Sequence, residues 1–516
     1  MRIALIALSC FLSLGCASAP WLDKIGNDYR LREAGKCEEP LNLKLAVAPV
    51  TMPPLPSAEE SQNGASERFA VTGDPNLIRE DIVEALNYSG IFDAVATLDL
   101  PQEDCRLEEA MKTAWEKDYD IILSLNVKSI EVFYDGVNGW YMPNVLNWLF
   151  LMIPSWWVKD EVYGSNMTCE MEIRSVRSGN LLYSKEFSVE FRRSLNDFQR
   201  GWQLFGIFRV PGSLGESNWR KVNKRLFPGL LHEIKVQTAL SMQNDFLQAA
   251  REPDFEKKLE TRLGLIIGIS RYGDYDITKL KYAEEDAIAI HKHLAGNDET
   301  GIAKRNFMLL ANEHATRKGM LDSLDRIKAK SRARDSIIIY FAGYGMKSSP
   351  EESGSGSDAE LYLVPFDADS HNLQDTCIRL EDIEKRLEGI NAREIALILD
   401  TSFGTDMESR SLSGNEGETP LLKELLRTPG RYALISGRIG EGAMEIDDHR
   451  HGVFTFYLLE GLKGAADADK DAAISLGELH EYLSGKVTEE TQMEGSVQHP
   501  QLRGDNAAEM FLEGSR

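Results

Sequence analysis

Residues 467–478 carry acidic side chains at a spacing that could hold a metal ion. Asp467, Asp469 and Asp471 occupy positions 1, 3 and 5 of this stretch, and Glu478 occupies position 12. Ca²⁺ prefers six to eight oxygen ligands, and a loop with this spacing supplies them from carboxylates and one backbone carbonyl. We therefore predict a calcium site formed by Asp467, Asp469, Asp471, the carbonyl oxygen of Ala473 and both carboxylate oxygens of Glu478.

The same stretch resembles an EF-hand loop with one departure. Position 6 of that loop normally holds Gly, because the chain turns sharply there. This sequence has Ala472 instead, and an Ala in the left-handed region costs roughly 1–2 kcal/mol. The alternative interpretation is a solvated acidic turn that caps the N-terminus of the following helix, where carboxylates are favourable.

Composition restricts the classes of protein to consider. The chain has 516 residues, of which 42% are hydrophobic and 27% charged, values typical of a globular protein with two or more domains. Lys and Arg number 58 and Asp and Glu number 82, so the formal net charge is 58 − 82 = −24. A surface this acidic repels phosphate groups, which argues against nucleic acid as a partner.

The N-terminus has the pattern of a targeting segment. Arg2 precedes an apolar run over 3–14, which is too short to span a bilayer and typical of a signal peptide. The run ends in Ser-Leu-Gly-Cys16, which resembles a bacterial lipobox, whose Cys becomes the lipidated mature N-terminus. We predict a signal peptide over 1–16, a lipid on Cys16 that anchors the chain in a membrane of the cell envelope, and a tether over 17–40. A plain secretory signal cleaved after Ala17 or Ala19 is the alternative.

The chain has few cysteines, and four of them follow Cys16. An oxidising compartment permits a disulfide among Cys37, Cys105 and Cys169. The sequence does not determine which two would pair. Cys377 falls in a different predicted domain, and we expect it to be unpaired.

Residues 41–250 are predicted to form a small α/β or α+β domain. A helix is indicated over 77–86, followed by Gly90 as a stop signal. The predicted strands are 43–50, 121–127, 168–174 and 181–189, the last two forming a hairpin across 178–180. The stretches "LAVAPV", "ALNYSGIFDAV" and "DIILSLNV" loosely resemble the N-terminal domains of bacterial envelope lipoproteins, such as those of the Tol and curli-secretion systems.

Residues 140–158 differ from the rest of this domain. They contain four of the eight Trp, and Pro143 and Pro154 interrupt them, so any helix is too short to cross a membrane. We expect a buried insertion that covers a sheet edge. The alternative is an interfacial anchor or a partner-docking loop, since Trp and Tyr favour membrane interfaces.

A charged stretch over 246–262 marks the boundary with a second domain, predicted over 263–510. In it, apolar runs alternate with amphipathic helices, which predicts an α/β fold with a mostly parallel six-stranded sheet and helices on both faces. The predicted strands are Leu263–Ile269, Phe307–Leu310, Ser336–Ala342, Leu361–Val364, Ile395–Asp400 and Tyr432–Ser436. Functional groups of such sheets lie at the carboxyl ends of the strands.

Residues 263–510 resemble the caspase-like (metacaspase-type) cysteine peptidase domain. The matching stretches follow the order of the family: "LGLIIGISRY", "LKYAEEDAIAI", "DSIIIYFAGYG", "LYLVPFDAD", "IALILDTSFG", "HGVFTFYLLEGLKGAADAD" and "HPQLRG". The resemblance implies an endopeptidase with a catalytic His after the third strand, in Ser-Gly-His-Gly, and a catalytic Cys after the fourth, in Asp-Ala-Cys-Phe-Ser-Gly.

Both catalytic positions are changed in this chain. The first motif reads Ala-Gly-Tyr344-Gly and the second Asp-Thr-Ser402-Phe-Gly. A Ser hydroxyl needs a neighbouring base to become a nucleophile. A Tyr with a pKa of about 10 is a poor base at neutral pH. Tyr344 and Ser402 are therefore predicted to be the degenerate, inactive positions of the dyad.

No substitute dyad is evident in the sequence. His371 and Cys377 follow the "PFDAD" stretch, a region that carries no catalytic group in the family. His449 and His451 precede a predicted helix, with Asp447 and Asp448 as the nearest acidic residues. We expect these histidines to lie on the surface rather than to act as bases.

The leading hypothesis is a catalytically inactive caspase-like lipoprotein that binds peptide or protein partners at the cell envelope. Its cleft would offer backbone groups to an extended peptide by strand addition. The alternative is an active peptidase that uses Ser402 as its nucleophile. A third hypothesis assigns the function to the N-terminal domain, with the second domain as a support.

Overall fold

The computed structural model describes most of the chain after the predicted tether. The described residues are 37, 39–51, 76–100, 106–151, 157–200, 214, 216–296, 302–347, 360–404, 422 and 425–513. They form two compact units, which divide between Lys258 and Leu259. Unit 1 precedes this point and unit 2 follows it.

Unit 1 is an α+β module built on a five-stranded sheet. Its strands are β1 (Leu41–Val47), β2 (Phe92–Thr97), β3 (Ile121–Val137), β4 (Glu161–Ser175) and β5 (Leu181–Leu195). Their order is β2-β1-β3-β4-β5. β1 runs parallel to both of its neighbours, whereas β3, β4 and β5 form an antiparallel meander. The predicted hairpin is confirmed, and β3 extends ten residues beyond the predicted end at Val127.

Unit 1 has six helices within the described residues, and some of them pack against the sheet. They are α1 (Asn76–Ser89), α2 (Leu107–Glu116), α3 (Tyr141–Leu151), α4 (Asp197–Arg200), α5 (Glu216–Ser241) and α6 (Pro253–Leu259). α5 continues through a π-helical turn, Met242–Phe246, into Leu247–Ala249. Val222 and Leu226 of α5 pack against Tyr163 of β4 in a buried cluster. Burial along β4 alternates from Ser165 to Ser175, as expected of a strand with one face against helices.

α3 lies in the Trp-rich segment, and it is not buried. Met142, Leu146, Leu149 and Phe150 are among the exposed large apolar residues of the protein. The expectation of a buried insertion is therefore wrong for the described part of this segment. Within the parts of the chain that the structure describes, no helix has the length and apolar composition needed to cross a bilayer.

Unit 2 is an α/β module built on a six-stranded, mostly parallel sheet. Its strands are β6 (Arg262–Gly268), β7 (Phe307–Ala311), β8 (Ser336–Ala342), β12 (Glu394–Asp400), β14 (Arg431–Ile435) and β18 (Gln501–Arg503). The order is β18-β14-β12-β8-β6-β7, and only β18 is antiparallel to its neighbour. The predicted fold class is confirmed.

Alternate residues of the central strands point into two separate cores. Ile337 and Ile339 of β8 belong to one buried cluster, whereas Ile338 and Tyr340 belong to the other. Helices cover both faces, which explains why these strands are continuous apolar runs. The helices of unit 2 are α7 (Ala283–Ala295), α8 (Ile302–Asn306), α9 (Arg317–Lys330), α10 (Leu373–Thr376), α11 (Leu380–Glu388), α12 (Val453–Glu460) and α13 (Leu476–Met493).

One predicted strand of unit 2 has a different place in the fold. The predicted strand Leu361–Val364 forms β10 (Leu361–Leu363), which belongs to a second sheet and not to the main sheet. The order of this second sheet is β11 (Ile378–Arg379), β10, β9 (Gly345–Lys347) and β13 (Phe403–Gly404). The sixth strand of the main sheet is β18, which the sequence analysis missed because it is only three residues long. The remaining strands are β9 (Gly345–Lys347), β10 (Leu361–Leu363), β11 (Ile378–Arg379), β13 (Phe403–Gly404), β15 (Glu445–Ile446), β16 (His451–Gly452), β17 (Ile474–Ser475) and β19 (Phe511–Glu513).

Candidate functional site

The two degenerate positions meet at the carboxyl edge of the main sheet. β8 and β12 are adjacent and parallel, with Ala342 paired to Asp400 at their last residues. The loops that leave these strands carry Tyr344 and Ser402, and both residues line one cleft. Sheet register thus brings together two positions that are far apart in the sequence.

Glycine at position 345 is required by the close approach of the two loops. β9 and β13 pair in parallel directly after the two strands, with Gly345 opposite Phe403. A Cβ atom on Gly345 would lie 2.7 Å from the Phe403 ring, which is too close for any side chain. The motif glycine therefore positions the backbone beside Ser402.

Most of the Tyr344 side chain is buried in the apolar core, and only a small part of it borders the cleft. Its side chain is only 8% exposed and belongs to the buried cluster beneath the sheet. Its ring lies 5.5 Å from the ring of Tyr272, centroid to centroid, and its backbone N–H donates to the Tyr272 hydroxyl at 2.9 Å. Ser402 is half-buried beside it. The position of the family's base is thus filled by an aromatic ring that packs against apolar neighbours.

Two buried carboxylates form the floor of the cleft. Asp286 of α7 and Asp400 of β12 are 2% and 8% exposed. The N–H of Gly452 donates to Asp286 at 3.0 Å, and the Thr455 hydroxyl donates to Asp400 at 2.7 Å. A Cβ on Gly452 would lie 3.0 Å from Asp400 Oδ2 and 3.1 Å from Asp286 Oδ2. Both carboxylates therefore face the same backbone position.

Burial makes both carboxylates weaker acids than usual. Burial raises the pKa of Asp286 to about 6, although the hydrogen bond from His451 opposes this rise. Burial, and then the negative charge of Asp286, raise the pKa of Asp400 to about 7. Two carboxylates at close range disfavour joint ionisation, so the pair titrates in the neutral range.

His451 contacts the floor of the cleft through Asp286. Its Nδ1 lies 2.5 Å from Asp286 Oδ1, and its side chain is three-quarters buried. The nearest acids in sequence are not its partners, and His449 likewise pairs with Glu490. Both histidines are about a quarter exposed and contact carboxylates, so they lie only partly at the surface. The available signal was Asp286 itself, which stands in the apolar stripe of α7 with Ala287 and Ile290.

The rest of the cleft adds negative charge. Glu445 lines it and accepts backbone N–H groups of Lys281 and Tyr282 at the start of α7. Among the described residues that line the cleft, there are three carboxylates and no Lys, Arg, His or Cys. The cavity volume of the cleft is about 30 Å³.

Two of the described cysteines, Cys169 and Cys377, are buried thiols. Cys37, Cys169 and Cys377 are free, whereas Cys16 and Cys105 lie outside the described residues. Burial raises the pKa of Cys169 and of Cys377 to about 12, so neither forms a thiolate at neutral pH. His371 is exposed, beside Asp369, and away from the cleft.

The predicted calcium loop brings three carboxylates together. Oxygens of Asp467, Asp469 and Asp471 lie within 4.8 Å of one another. Ala472 adopts φ = +65°, the conformation for which the EF-hand pattern specifies Gly. Its N–H donates to Asp467 at 3.1 Å. The backbone therefore turns as a calcium loop does, despite the Ala.

Glu478 has a second role at the end of this loop. It forms a capping box with Ser475 at the start of α13, and it accepts both the N–H and the hydroxyl of Ser475. These hydrogen bonds lower the pKa of Glu478. The loop geometry is thus compatible with both interpretations, the calcium site and the helix-capping acidic turn.

Comparison with known proteins gives only distant similarities. No protein-family model matches the chain, and no curated protein matches it. Among solved structures, a protein from Geobacter sulfurreducens has 15% identity and a TM-score of 0.34, covering 49% of this chain and 97% of that chain. Caspase-1 from Spodoptera frugiperda has 11% identity and a TM-score of 0.32, covering 47% and 88%. The pro-form of that caspase has 14% identity and a TM-score of 0.29, covering 47% and 86%. Similarities of this size indicate a likeness of fold at most.

Proposed function

We propose that unit 2 is a catalytically inactive caspase-like module that binds an extended peptide or a protein segment. The observation that carries this proposal is the composition of the cleft, which has carboxylates at its floor and no imidazole or thiol among its described lining residues. A basic side chain of the bound segment would lie over Asp286 and Asp400, because buried carboxylates gain most from an opposite charge.

The chemistry of the dyad positions supports binding without cleavage. Tyr344 occupies the position at which a caspase-like peptidase has its catalytic base. Its ring packs into the apolar core, so it does not serve Ser402 as a base. Loss of one member of a catalytic unit typically lowers the rate by several powers of ten. β13, which follows Ser402, is the last strand of its sheet within the described residues. An extended peptide could pair with it by strand addition.

The first prediction is a preference for peptides with one basic side chain. We expect a peptide with a central Lys to bind at least about tenfold more tightly than its norleucine analogue, because the ammonium group is paired in the cleft. Asp400→Asn should reduce this difference, since it preserves shape and removes one of the carboxylates at the floor of the cleft. Fluorescence anisotropy with labelled peptides measures both dissociation constants.

Asp369→Asn is the matched control, because Asp369 is an exposed carboxylate of unit 2 outside the cleft. Equal affinities of the Lys and norleucine peptides for the wild-type protein would contradict the acidic pocket. Mass spectrometry of the recovered peptide reports cleavage in the same samples.

The alternative function is an active serine-type peptidase with Ser402 as its nucleophile. His451 is held by Asp286, but it is not among the residues that line the cleft with Ser402. An imidazole whose Nδ1 is held by a carboxylate is the arrangement that supports a nucleophilic serine in hydrolases. Covalent labelling by a fluorophosphonate probe tests this alternative. Labelling that disappears in Ser402→Ala and in His451→Ala would replace the binding proposal with an enzymatic one.

We further propose that the chain is a lipoprotein of the bacterial cell envelope, anchored in a membrane through a lipid on Cys16, and that residues 467–478 bind Ca²⁺. The first proposal is supported by the targeting pattern over 1–16. The second is supported by the clustered carboxylates and by the φ of Ala472.

A further inference from the structure

We propose that α3 of unit 1 lies on the surface of a lipid bilayer and buries its exposed apolar stripe among the lipids. This proposal rests on the envelope location proposed above, and it adds a second membrane contact that is independent of the N-terminal lipid. The surface concerned, the α3 stripe, consists of Met142, Leu146, Leu149 and Phe150.

The apolar face of α3 points away from the protein, whereas the apolar face of an ordinary surface helix points towards the core. The stripe residues follow one another at i, i+4, i+7 and i+8, which places them on one face. They are 60%, 47%, 58% and 77% exposed, respectively. A helix in water normally turns such a stripe towards the core. Here it faces outwards, so the helix is suited to contact with an apolar phase.

Specific hydrogen bonds hold α3 in this orientation. Asn144, on the opposite face, donates its side-chain N–H to Asp160 at 2.8 Å. Asp160 is itself paired with Arg200 at 3.3 Å in a buried position. At the start of the helix, Asn138 donates to the Lys159 carbonyl oxygen at 2.7 Å and accepts the N–H of Trp140 at 2.9 Å. The polar side of α3 is therefore hydrogen-bonded to the rest of unit 1, and its apolar side faces away from the protein.

The chemistry of the segment favours lipid over a protein partner. Residues 140–158 contain no charged side chain, so the segment offers no ion pair to a partner protein. Trp140 and Trp157 are both exposed, one before the helix and one after it. Indole rings prefer the interface between headgroups and acyl chains, and a short apolar helix flanked by them lies in the plane of that interface.

The length of the chain before unit 1 allows both membrane contacts to use one bilayer. β1 pairs in parallel with the start of β3, and α3 follows the opposite end of β3. The 17 residues of β3 extend over about 55 Å. Residues 17–36, which precede the first described hydrogen bond of the chain to unit 1 at Cys37, have a contour length of about 65 Å. A chain attached at Cys16 can therefore reach from the bilayer past the sheet while α3 touches the same surface.

The test is depth-dependent fluorescence quenching on the full-length protein in phosphatidylcholine vesicles, which carry no net charge that would repel the acidic protein. A polarity-sensitive fluorophore is attached to Leu149→Cys in a Cys37→Ser/Cys105→Ser background, with acyl-chain nitroxide lipids as quenchers. We expect at least a twofold loss of emission at position 149. The matched control is the same fluorophore on Tyr88→Cys, which replaces an exposed apolar residue of α1 and should lose no emission. Adding Leu146→Asn and Phe150→Asn should remove the loss at position 149.

Intact mass spectrometry of the wild type and of Cys16→Ser reports the lipid anchor separately. Vesicles that carry the protein without quenching at position 149 would overturn the α3 proposal and leave the anchor intact. Quenching at position 149 in a protein without a lipid on Cys16 would support α3 and refute the anchor. A blue shift at position 149 without vesicles, accompanied by dimers in light scattering, would assign the α3 stripe to a second copy of the chain and overturn the proposal.

Discussion

The buried carboxylates of Asp286 and Asp400 lower the stability of the fold of unit 2. A carboxylate loses much of its hydration when it is buried, and two carboxylates at close range repel each other. Three contacts offset part of the lost hydration and of the repulsion between the two carboxylates. They are the N–H of Gly452, the Thr455 hydroxyl and His451. A pair that destabilises the fold and lines a cleft has the properties of a functional site.

This cost predicts how stability depends on pH. The pKa of Asp400 is raised to about 7 in the folded protein, whereas an unfolded Asp has a pKa of about 4. The folded state therefore holds a proton that the unfolded chain releases, and the contribution of this group to stability falls as pH rises between about 4 and 7. We expect Asp400→Asn to raise the free energy of unfolding by roughly 2–4 kcal/mol at about pH 8, with little change near pH 4.

Thermal and denaturant unfolding of both proteins across this pH range measure the effect. Asp369→Asn serves again as the exposed control. If Asp400→Asn were equally stabilising at both ends of the pH range, the stabilisation would come from packing rather than from ionisation.

The residue scale also separates what the sequence can predict from what it cannot. Tyr344 and Ser402 could be placed because each follows an apolar strand within a short local motif. The partnership of His451 with Asp286 could not, because 165 residues separate them and only the packing of α7 against the β15–β16 hairpin brings them together. The acidic residues beside His451 in the sequence were misleading, since Lys281 pairs with Asp447 instead.

At the scale of elements, the loop 467–478 contains a turn that requires a positive φ, and the residue at that position is Ala472 rather than Gly. Ala472 holds φ = +65°, although Gly reaches this region at no steric cost. The turn persists because hydrogen bonds at both sides fix it, from Ala472 to Asp467 and from Ala473 to Asp471. The strain is stored beside the three clustered carboxylates.

Ala472→Gly is therefore expected to stabilise the protein and to strengthen calcium binding. Relief of the positive φ should raise the free energy of unfolding by about 1 kcal/mol. The Ca²⁺ dissociation constant should fall by up to about tenfold, because the loop no longer resists the turn. Isothermal titration calorimetry and thermal unfolding with and without Ca²⁺ measure the two effects.

Ala468→Gly is the matched control for this prediction, since Ala468 is exposed in the same loop and its φ is not positive. If neither heat nor a shift in melting temperature appears with Ca²⁺ at about millimolar concentration, the loop is a helix-capping acidic turn. The capping box of Ser475 and Glu478 would then be its whole function.

Elements were predictable from the sequence where burial dictates their pattern. β8 was predicted to the residue, because strands covered on both faces are continuous apolar runs. β10 resembles such a run, yet it is antiparallel to β9 in the second sheet, since three apolar residues do not specify their neighbour. α3 was misjudged for a related reason. An apolar stripe indicates contact with an apolar surface, but it does not tell whether that surface is protein.

On the scale of the whole molecule, each unit has its own sheet and its own proposed task. Unit 1 presents the α3 stripe, and unit 2 presents the acidic cleft. The net charge of −24 adds a property that neither site has alone, because a charge of this size creates a field that reaches beyond the protein surface at low ionic strength.

This field predicts that salt weakens capture of a basic peptide mainly through the association rate. We expect the association rate constant of a doubly charged Lys peptide to fall roughly tenfold between about 10 mM and 150 mM NaCl, while the dissociation rate constant changes little. The long-range attraction between the acidic protein and the basic peptide accelerates their encounter, and salt screens it. The proposed contact of the Lys side chain with Asp286 and Asp400 is short-range and partly shielded from solvent, so salt affects it less. Stopped-flow fluorescence measures both constants, with an uncharged peptide as the control. A salt effect found mainly in the dissociation rate would instead locate the attraction at the two carboxylates and assign no steering to the net charge.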